Sequence, residues 1–566
     1  MAADLIFYNG KIFTGTGENG YRICSAAAIK DGRFLAVGDD AEILALADEN
    51  TEKVDCGGNT VLPGLCDAHC HGSAGILSET CDLFGTTDDN GVENEVAEIQ
   101  ARLRDYIKDH PDAKIIKGSG FNMLRFPGDR RPTRHDLDAV CSDRPIVLES
   151  FCKHGLWANT RAIELSGLDA SSPQPETGSF ETEEDGYPMG LFHEPEGMAL
   201  ISMRLPGYLP GVEEYKEIIL HYQETCVVPY GVTLVQDCGL YPDAIEAYKE
   251  LAREGRLKMR VRGVYLISDA SDDGELEYAA SHRAEDTVGD LFAINTAKYF
   301  MEGSFALLEP YSKEFNEASG NPEDYCGETT WDTETVKKSF RRAAELGVQI
   351  HCHAMGDASV HQTIEALEAV IPDENNVLRH TIAHLMLVPP EDKIRLGRKH
   401  IVASIQPRWM VYDNDIHSYF PLFGQERAET CYPDRSLSDC GAVAAYGTDF
   451  PVTPPPNPYH GMQCAITREV FPDAPDYEPN KGLVLGPDCD GSADTVTLHE
   501  AVRRTSYNGA YQMFLENVTG SIAPGMSAEL VLLDRDLENC PSHEIYATKV
   551  VRSVFMGRTV YRGEAL

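Results

Sequence analysis

Val61-Leu62-Pro63-Gly64-Leu65-Cys66-Asp67-Ala68-His69-Cys70-His71 is the stretch at which this chain changes character. Upstream lie only short β-like runs. Downstream, apolar strand-like runs alternate with helical segments. The stretch itself reads as a strand entered through Pro63-Gly64. On a strand, residues two apart project to one face, so His69 and His71 converge. Two converging imidazoles can bind one metal ion, and imidazole suits zinc, iron, nickel or copper.

Working outward, residues 4–66 read as all-β. Leu5–Tyr8, Lys11–Thr14, Ser25–Ile29 and Phe34–Val37 are separated by Asn9-Gly10, Asp31-Gly32 and Gly38-Asp39, which are turn pairs. The C-terminus repeats the style in Ala528–Leu533, Lys549–Val551 and Ser553–Phe555. A small β-sandwich assembled from residues 1–66 and 510–566 is expected. Between them, Gly231–Val235 precedes a helical segment at 242–254, and Val348–His351 follows one at 333–346. Ile401–Ile405 and Gly441–Tyr446 are further strands. Such alternation means a parallel sheet, doubly wound or closed into a barrel. Residues from about 75 to 228 interrupt it with mixed, Gly- and Pro-rich sequence, and read as an insertion after the first strand of a 67–509 domain.

The chain has 566 residues, 42% hydrophobic and 25% charged, as in a soluble globular protein. Asp and Glu outnumber Lys and Arg by 91 to 49, a net charge of −42. That field repels phosphate backbones and anionic lipid, so neither nucleic acid nor a membrane is expected as partner. The N-terminus lacks a secretion signal, and no apolar run approaches the ~18 residues of a membrane span. Sixteen dispersed cysteines without an export signal imply reduced thiols in a cytoplasm.

Further chemistry-bearing groups fall at the ends of expected strands. Ala297–Gly303 contains Lys298. Gln349–Asp357 carries His353 at a strand end, with His351 on the same face but deeper, as a buried packing group or a partner to a ligand. Arg379–His384 ends in His384, and Tyr446–Pro451 presents Asp449. Each alone has a plainer reading: a core histidine, a snorkelling lysine, a helix cap. In this order, each at a strand end, they form a metal-site inventory distributed round a barrel.

With these residues stand VLPGLCDAHCHG, GVTLVQD, KYFMEGS, HCHAMGDAS, LRHTIAHLMLV, VASIQPRW, AYGTDFPV and GSIAPGMSAELVLLDRD. Together they resemble the amidohydrolase superfamily, and within it the YtcJ-like branch that includes N-substituted formamide deformylase. The resemblance runs nearly end to end. It implies an α/β fold, a (β/α)₈ TIM-like barrel with a composite β-sandwich. It implies two divalent metal ions, zinc foremost, and hydrolysis of a C–N bond in an amide, N-formyl or cyclic amide. By it, His69 and His71 bind the more buried metal and Asp449 completes that shell. Lys298 carries a CO₂-derived carbamate bridging both metals, and His353 and His384 bind the second. Asp449 also carries the catalytic proton. Three positions depart from the family pattern: Ala383 stands where Glu is usual, Glu302 where Asp is usual, and Ala528-Glu529 where Ala-Asp is usual.

Two other classes compete: a deaminase of the same superfamily, and a non-catalytic binding protein on the same barrel. Retention of all six candidate ligands speaks against the second. A small-molecule substrate is expected, with a homodimer as one assembly to test. Phe121, His154, Trp157, Gln406, Arg408, Trp409 and Tyr412 are the candidates for substrate contact. Gly15–Gly20 matches G-x-G-x-x-G, but a strand-like run follows it, so a hairpin turn is expected. Cys70 and Cys352 fall opposite the ligands by parity and read as small buried residues.

Overall fold

The computed structural model describes residues 2–16, 22–74, 80–83, 95–121, 131–150, 154–175, 178–303, 305–372, 375–411, 414–453, 455–472 and 494–563. They form two compact units, 1–73 with 219–566, and 74–218.

Eight parallel strands make the frame of the first unit. They are β1 (Leu65–Cys70), β2 (Val232–Leu240), β3 (Arg260–Leu266), β4 (Phe292–Phe300), β5 (Gln349–Ala354), β6 (Thr381–His384), β7 (Val402–Ile405) and β8 (Val443–Tyr446). Each pairs with the next in order. Just beyond β8, Asp449 N donates to His69 O at 2.8 Å and His71 N donates to Phe450 O at 2.7 Å, which closes the seam. The result is the expected TIM-like barrel. β1, β5, β6 and β7 are buried at every residue, as strands covered on both faces must be.

The helices follow from local sequence. α1 (Pro242–Arg253) begins on a proline that fixes its first turn, and buries Ala244, Ile245, Tyr248, Leu251 and Ala252. α2 (Thr333–Glu345) is capped by Asp332, whose side chain accepts from Glu334 N and Thr335 N. Its Val336, Phe340 and Ala343 form one buried stripe.

Two further sheets flank the barrel sequence. One orders Arg33–Gly38, Ala26–Lys30, Leu5–Tyr8 and Glu52–Asp55. The other orders Arg558–Arg562, Val550–Phe555, Leu530–Leu533, Thr60–Pro63, Lys11–Phe13 and Ile23–Cys24, so both chain ends contribute. Phe7, Ile12, Ile29, Phe34, Val61, Leu530, Leu532 and Val554 share their core. The expected all-β stretch contains one short helix, Asp40–Leu44, which buries Ile43. Residues 17–20 of the G-x-G-x-x-G segment lie outside the described residues; the strands on either side of it, Lys11–Phe13 and Ile23–Cys24, pair antiparallel.

The second unit enters the chain between β1 and β2. Its six-stranded sheet orders Ser179–Thr182, Pro188–His193, Gly155–Ala158, Ile146–Ser150, Ile116–Phe121 and Cys81–Asp82. Among the described residues no helix is long and apolar enough to cross a membrane.

Candidate metal centre

The barrel seam brings Asp449 to the histidine pair. Asp67, on β1, accepts from Thr448 N at 2.9 Å and from Thr448 Oγ1 at 2.6 Å, which pins the turn that carries Asp449. Gly447 must be glycine there: a Cβ would lie 2.6 Å from both the backbone N and the Cβ of His69. Asp449 Oδ1 then sits 3.5 Å from His69 Nε2 and 3.3 Å from His71 Nε2. Lys298, on β4, places Nζ 3.3 Å from the same His69 Nε2. The remaining rings continue the cluster. His69 lies 5.0 Å from His384 and His384 lies 4.5 Å from His353, centroid to centroid. All six groups expected from the sequence to bind metal therefore meet at one end of the barrel.

Two of the buried rings, His69 and His384, have their Nδ1 occupied. His69 Nδ1 and His351 Nε2 share a hydrogen bond of 2.8 Å. His384 Nδ1 meets Gln406 Oε1 at 2.8 Å, and Trp409 stacks on the same ring at 5.3 Å. With Nδ1 donating, Nε2 is the free lone pair in both, as a metal ligand needs. Burial, reinforced by Lys298 and neighbouring imidazoles, pushes His69 and His351 well below the usual histidine range. Burial takes His384 to about 4. At neutral pH these are uncharged donors. Burial also lowers the Lys298 amine from its usual value. For Asp449 burial opposes ionisation, yet His71, His384 and Lys298 hold the carboxyl below the ordinary carboxylate range.

The donor set fits a divalent metal. Asp449 is 6% exposed, and its Oδ1 has no hydrogen-bond partner although it faces two imidazole nitrogens. A buried carboxylate oxygen left so is costly unless a cation completes it. His69, His71 and Asp449 present ligand atoms within 4.8 Å of one another. The backbone is strained at the same place. His384 has φ +78° and Asp449 has φ +55°, a region non-glycine residues avoid except where a site requires it.

The amidohydrolase family model matches residues 52–561. This chain belongs to the amidohydrolase family. The amidohydrolase is 25% identical to the putative amidohydrolase YtcJ of Bacillus subtilis over 98% of its own length and 99% of that protein. It is equally 25% identical to the N-substituted formamide deformylase of Arthrobacter pascens, covering 98% of its own length and 97% of that enzyme. Among solved structures, a metal-dependent hydrolase from Pyrococcus furiosus superposes with a TM-score of 0.67 at 25% identity, over 93% of this chain and 98% of that one. The protein is accordingly a metal-dependent hydrolase of C–N bonds, in keeping with the reading of its barrel-borne histidines.

The other candidates divide. Gln406, expected to touch substrate, is wholly buried and spends its carbonyl on His384, because it follows β7 directly beside the end of β6. Trp409 remains beside His384 and is tethered through Nε1 to Thr453 Oγ1 at 2.7 Å. Arg408 lies over Phe471 and within 3.2 Å of His460 Nδ1. In the second unit, Phe121 and Trp157 are fully buried in its hydrophobic core, 5.9 Å apart edge to face, with Trp157 Nε1 donating to Thr133 O. Packing, rather than an open surface, accounts for both. His154 Nδ1 bonds Glu194 at 2.8 Å. Tyr412 lies outside the described residues.

The sequence departures acquire reasons. Glu302 is buried, and its carboxylate accepts from the backbone amides of Ala306, Met355 and Gly356, bracing the turn that follows His353. Ala383 is wholly buried in register with His353 and Ser404, so no carboxylate stands there, and Gln406 serves His384 instead. Glu529 accepts from Arg260, Thr519 and Ser527, a buried ion pair joining β3 to the segment before Leu530–Leu533. The role of Gln406 and that of the Asp67 brace were invisible in the sequence. Strand parity could have pointed to one further lumen-facing group, Cys238 on β2.

Proposed function

We propose that the centre holds two divalent metal ions, zinc foremost, and hydrolyses an amide, N-formyl or cyclic amide bond of a small molecule. In this reading His69, His71 and Asp449 hold the more buried ion and His353 and His384 hold the other. Lys298, a buried amine lowered from its usual value, is the group that would take up CO₂ as a carbamate. When bound, the metals supply a water nucleophile at neutral pH and polarise the scissile carbonyl. Asp449 takes the proton from that water and returns it to the leaving nitrogen. His351 and Gln406 hold the two buried rings so that Nε2 faces inward. Trp409 stacks on His384 and forms an apolar wall beside it.

The observation that carries this reading is the unpartnered, buried Oδ1 of Asp449 between two imidazole nitrogens. The formamide-deformylase relative supports N-formyl amines as the first substrate class to try. A cytoplasmic, homodimeric enzyme is part of the same proposal, supported in location by the lack of disulfides among the described cysteines.

The test is a screen of N-formyl and N-acyl amines, hydantoin-like rings and lactams, with Zn²⁺ or Mn²⁺ supplied. Carboxylate or formate release is expected, with about two metal equivalents bound. Ammonia release from an amidine substrate instead would make the enzyme a deaminase. In Asp449→Asn, turnover should fall at least ~10³-fold while the melting temperature stays near wild type. Near-wild-type kcat in that variant would remove the proton-carrying role.

A further inference from the structure

The helix Val212–Tyr222 gives way at its last residue to a π turn, Gln223–Val227. Single π turns in helices recur at functional sites. Gln223 fastens this one. It is wholly buried, its Oε1 accepts from Lys258 N at 2.6 Å and its Nε2 donates to Arg256 O at 3.3 Å, which ties the turn to the link between α1 and β3. The tie fixes the ring just before it, Tyr222, which is 3% exposed. That ring lies against Gly72, where an added Cβ would come within 2.5 Å of Tyr222 Cε1. It also stacks on Phe450, with centroids 5.4 Å apart and planes 21° from parallel. Its hydroxyl donates to Cys70 Sγ at 3.5 Å. Gly72 directly follows His71, and Phe450 directly follows Asp449. The two segments also meet each other, His71 N donating to Phe450 O at 2.7 Å, and Asp449 Oδ1 stands 3.3 Å from His71 Nε2. One ring therefore touches the residue after each member of the pair. Asp449 itself is held at φ +55°, a conformation that persists only where the surroundings enforce it.

We propose that Tyr222 is the positioning residue for the His71–Asp449 pair: its ring, wedged against Gly72 and Phe450, sets the spacing of the β1 and β8 exits at which both side chains can share one metal ion. This rests on the metal-centre reading above and deepens it. Tyr222 is not a ligand and acts only through its two neighbours. The flat ring carries the effect. Its face lies on Phe450, whose carbonyl accepts from His71, whereas the hydroxyl reaches only a thiol, a weak acceptor. A branched aliphatic side chain would fill part of the space but offer no flat face, leaving the two exits free to shift. Losing a group that orients metal ligands typically costs ~10- to 100-fold in metal affinity.

Zinc affinity of the full chain, measured against a chelating dye, tests this and needs no substrate. Tyr222→Leu should bind one of the two proposed zinc equivalents ~10- to 100-fold more weakly, and Tyr222→Phe should restore wild-type affinity. Phe450→Leu removes the same stack from its other partner, carries the same expectation, and keeps the test open should Tyr222→Leu fail to fold. Cobalt(II) in place of zinc gives a spectroscopic check: the visible d–d bands should change in the Leu variants and return in Tyr222→Phe. Wild-type affinity and unchanged bands in a folded Leu variant, with only the melting temperature lowered, would reduce Tyr222 to packing and overturn the proposal. An equal loss in Tyr222→Phe would assign the effect to the hydroxyl and overturn it too. A wild-type protein that takes up no metal by elemental analysis would instead overturn the metal-centre reading itself, so the two failures are distinguishable.

Discussion

At the residue scale the site is a set of imidazoles whose usefulness depends on what their second nitrogen touches. Gln406 is the clearest case. Its Oε1 fixes the His384 proton on Nδ1, and burial leaves water no route to substitute. Gln406→Leu should leave that N–H unpaired and free the ring to turn. Removing such partners of metal-bound histidines typically costs ~10- to 100-fold in metal affinity. Competition with a chelating dye should show that loss at one of the two proposed metal equivalents, with Gln406→Glu retaining affinity. An unchanged affinity in Gln406→Leu would mean the ring is held by Trp409 stacking alone. The residues proposed as ligands stood out in the sequence because they are uncommon residue types at strand ends, and the structure brings them together. Their partners were not. The pairing of Gln406 with His384 spans adjacent strands and depends on side-chain rotamers, and glutamine carries no signature that separates a substrate contact from a ligand brace.

At the element scale the strands were legible wherever an apolar run met a turn residue. Val550–Phe555 shows the limit. Read from sequence, Lys549–Val551 and Ser553–Phe555 are two runs broken by a charge. In the structure they form one strand, because Arg552 is buried and paired with Glu52 at 2.7 Å. The sheet of the second unit was illegible for another reason: its short strands are antiparallel on one side of Ile146–Ser150 and parallel on the other, so no single strand pattern runs through it. The β8–β1 seam rests on one small residue, Gly447, in contact with His69. Gly447→Ala would place Cβ 2.6 Å from His69 backbone and must push the two strand ends apart. Overpacking of this kind costs about 1–3 kcal/mol, and here it also moves Asp449 away from the histidine pair. Reduced metal content together with a lowered melting temperature is expected. Gly211→Ala, where an added Cβ meets nothing within 4 Å, is the control and should match wild type. A Gly447→Ala protein with full metal occupancy would show that the seam tolerates separation.

At the scale of the whole molecule, the many buried neutral groups link stability to pH. His380 is 2% exposed, and its Nδ1 accepts from Ile350 N at 3.0 Å, a bond that only the neutral ring can make. Burial lowers it to about 3, against an ordinary value of 6.5. Above pH 6.5 both the folded and unfolded chains hold this ring neutral, and it contributes no pH dependence. Between 6.5 and about 3 the unfolded chain binds a proton that the folded chain refuses, so stability falls on acidification. The slope from this one ring is at most about 1.4 kcal/mol per pH unit. The proposed metal ligands would add losses of their own in acid, because protonated imidazoles release an ion. The difference between wild type and His380→Gln isolates the single ring, since glutamine can accept the same amide without titrating. Denaturant melts at saturating zinc from pH 7.5 down to 5 should show the variant less stable at the upper end and catching up steadily below pH 6.5. Parallel curves across that range would place His380 in contact with water in the native state, contrary to its burial behind β5 and β6.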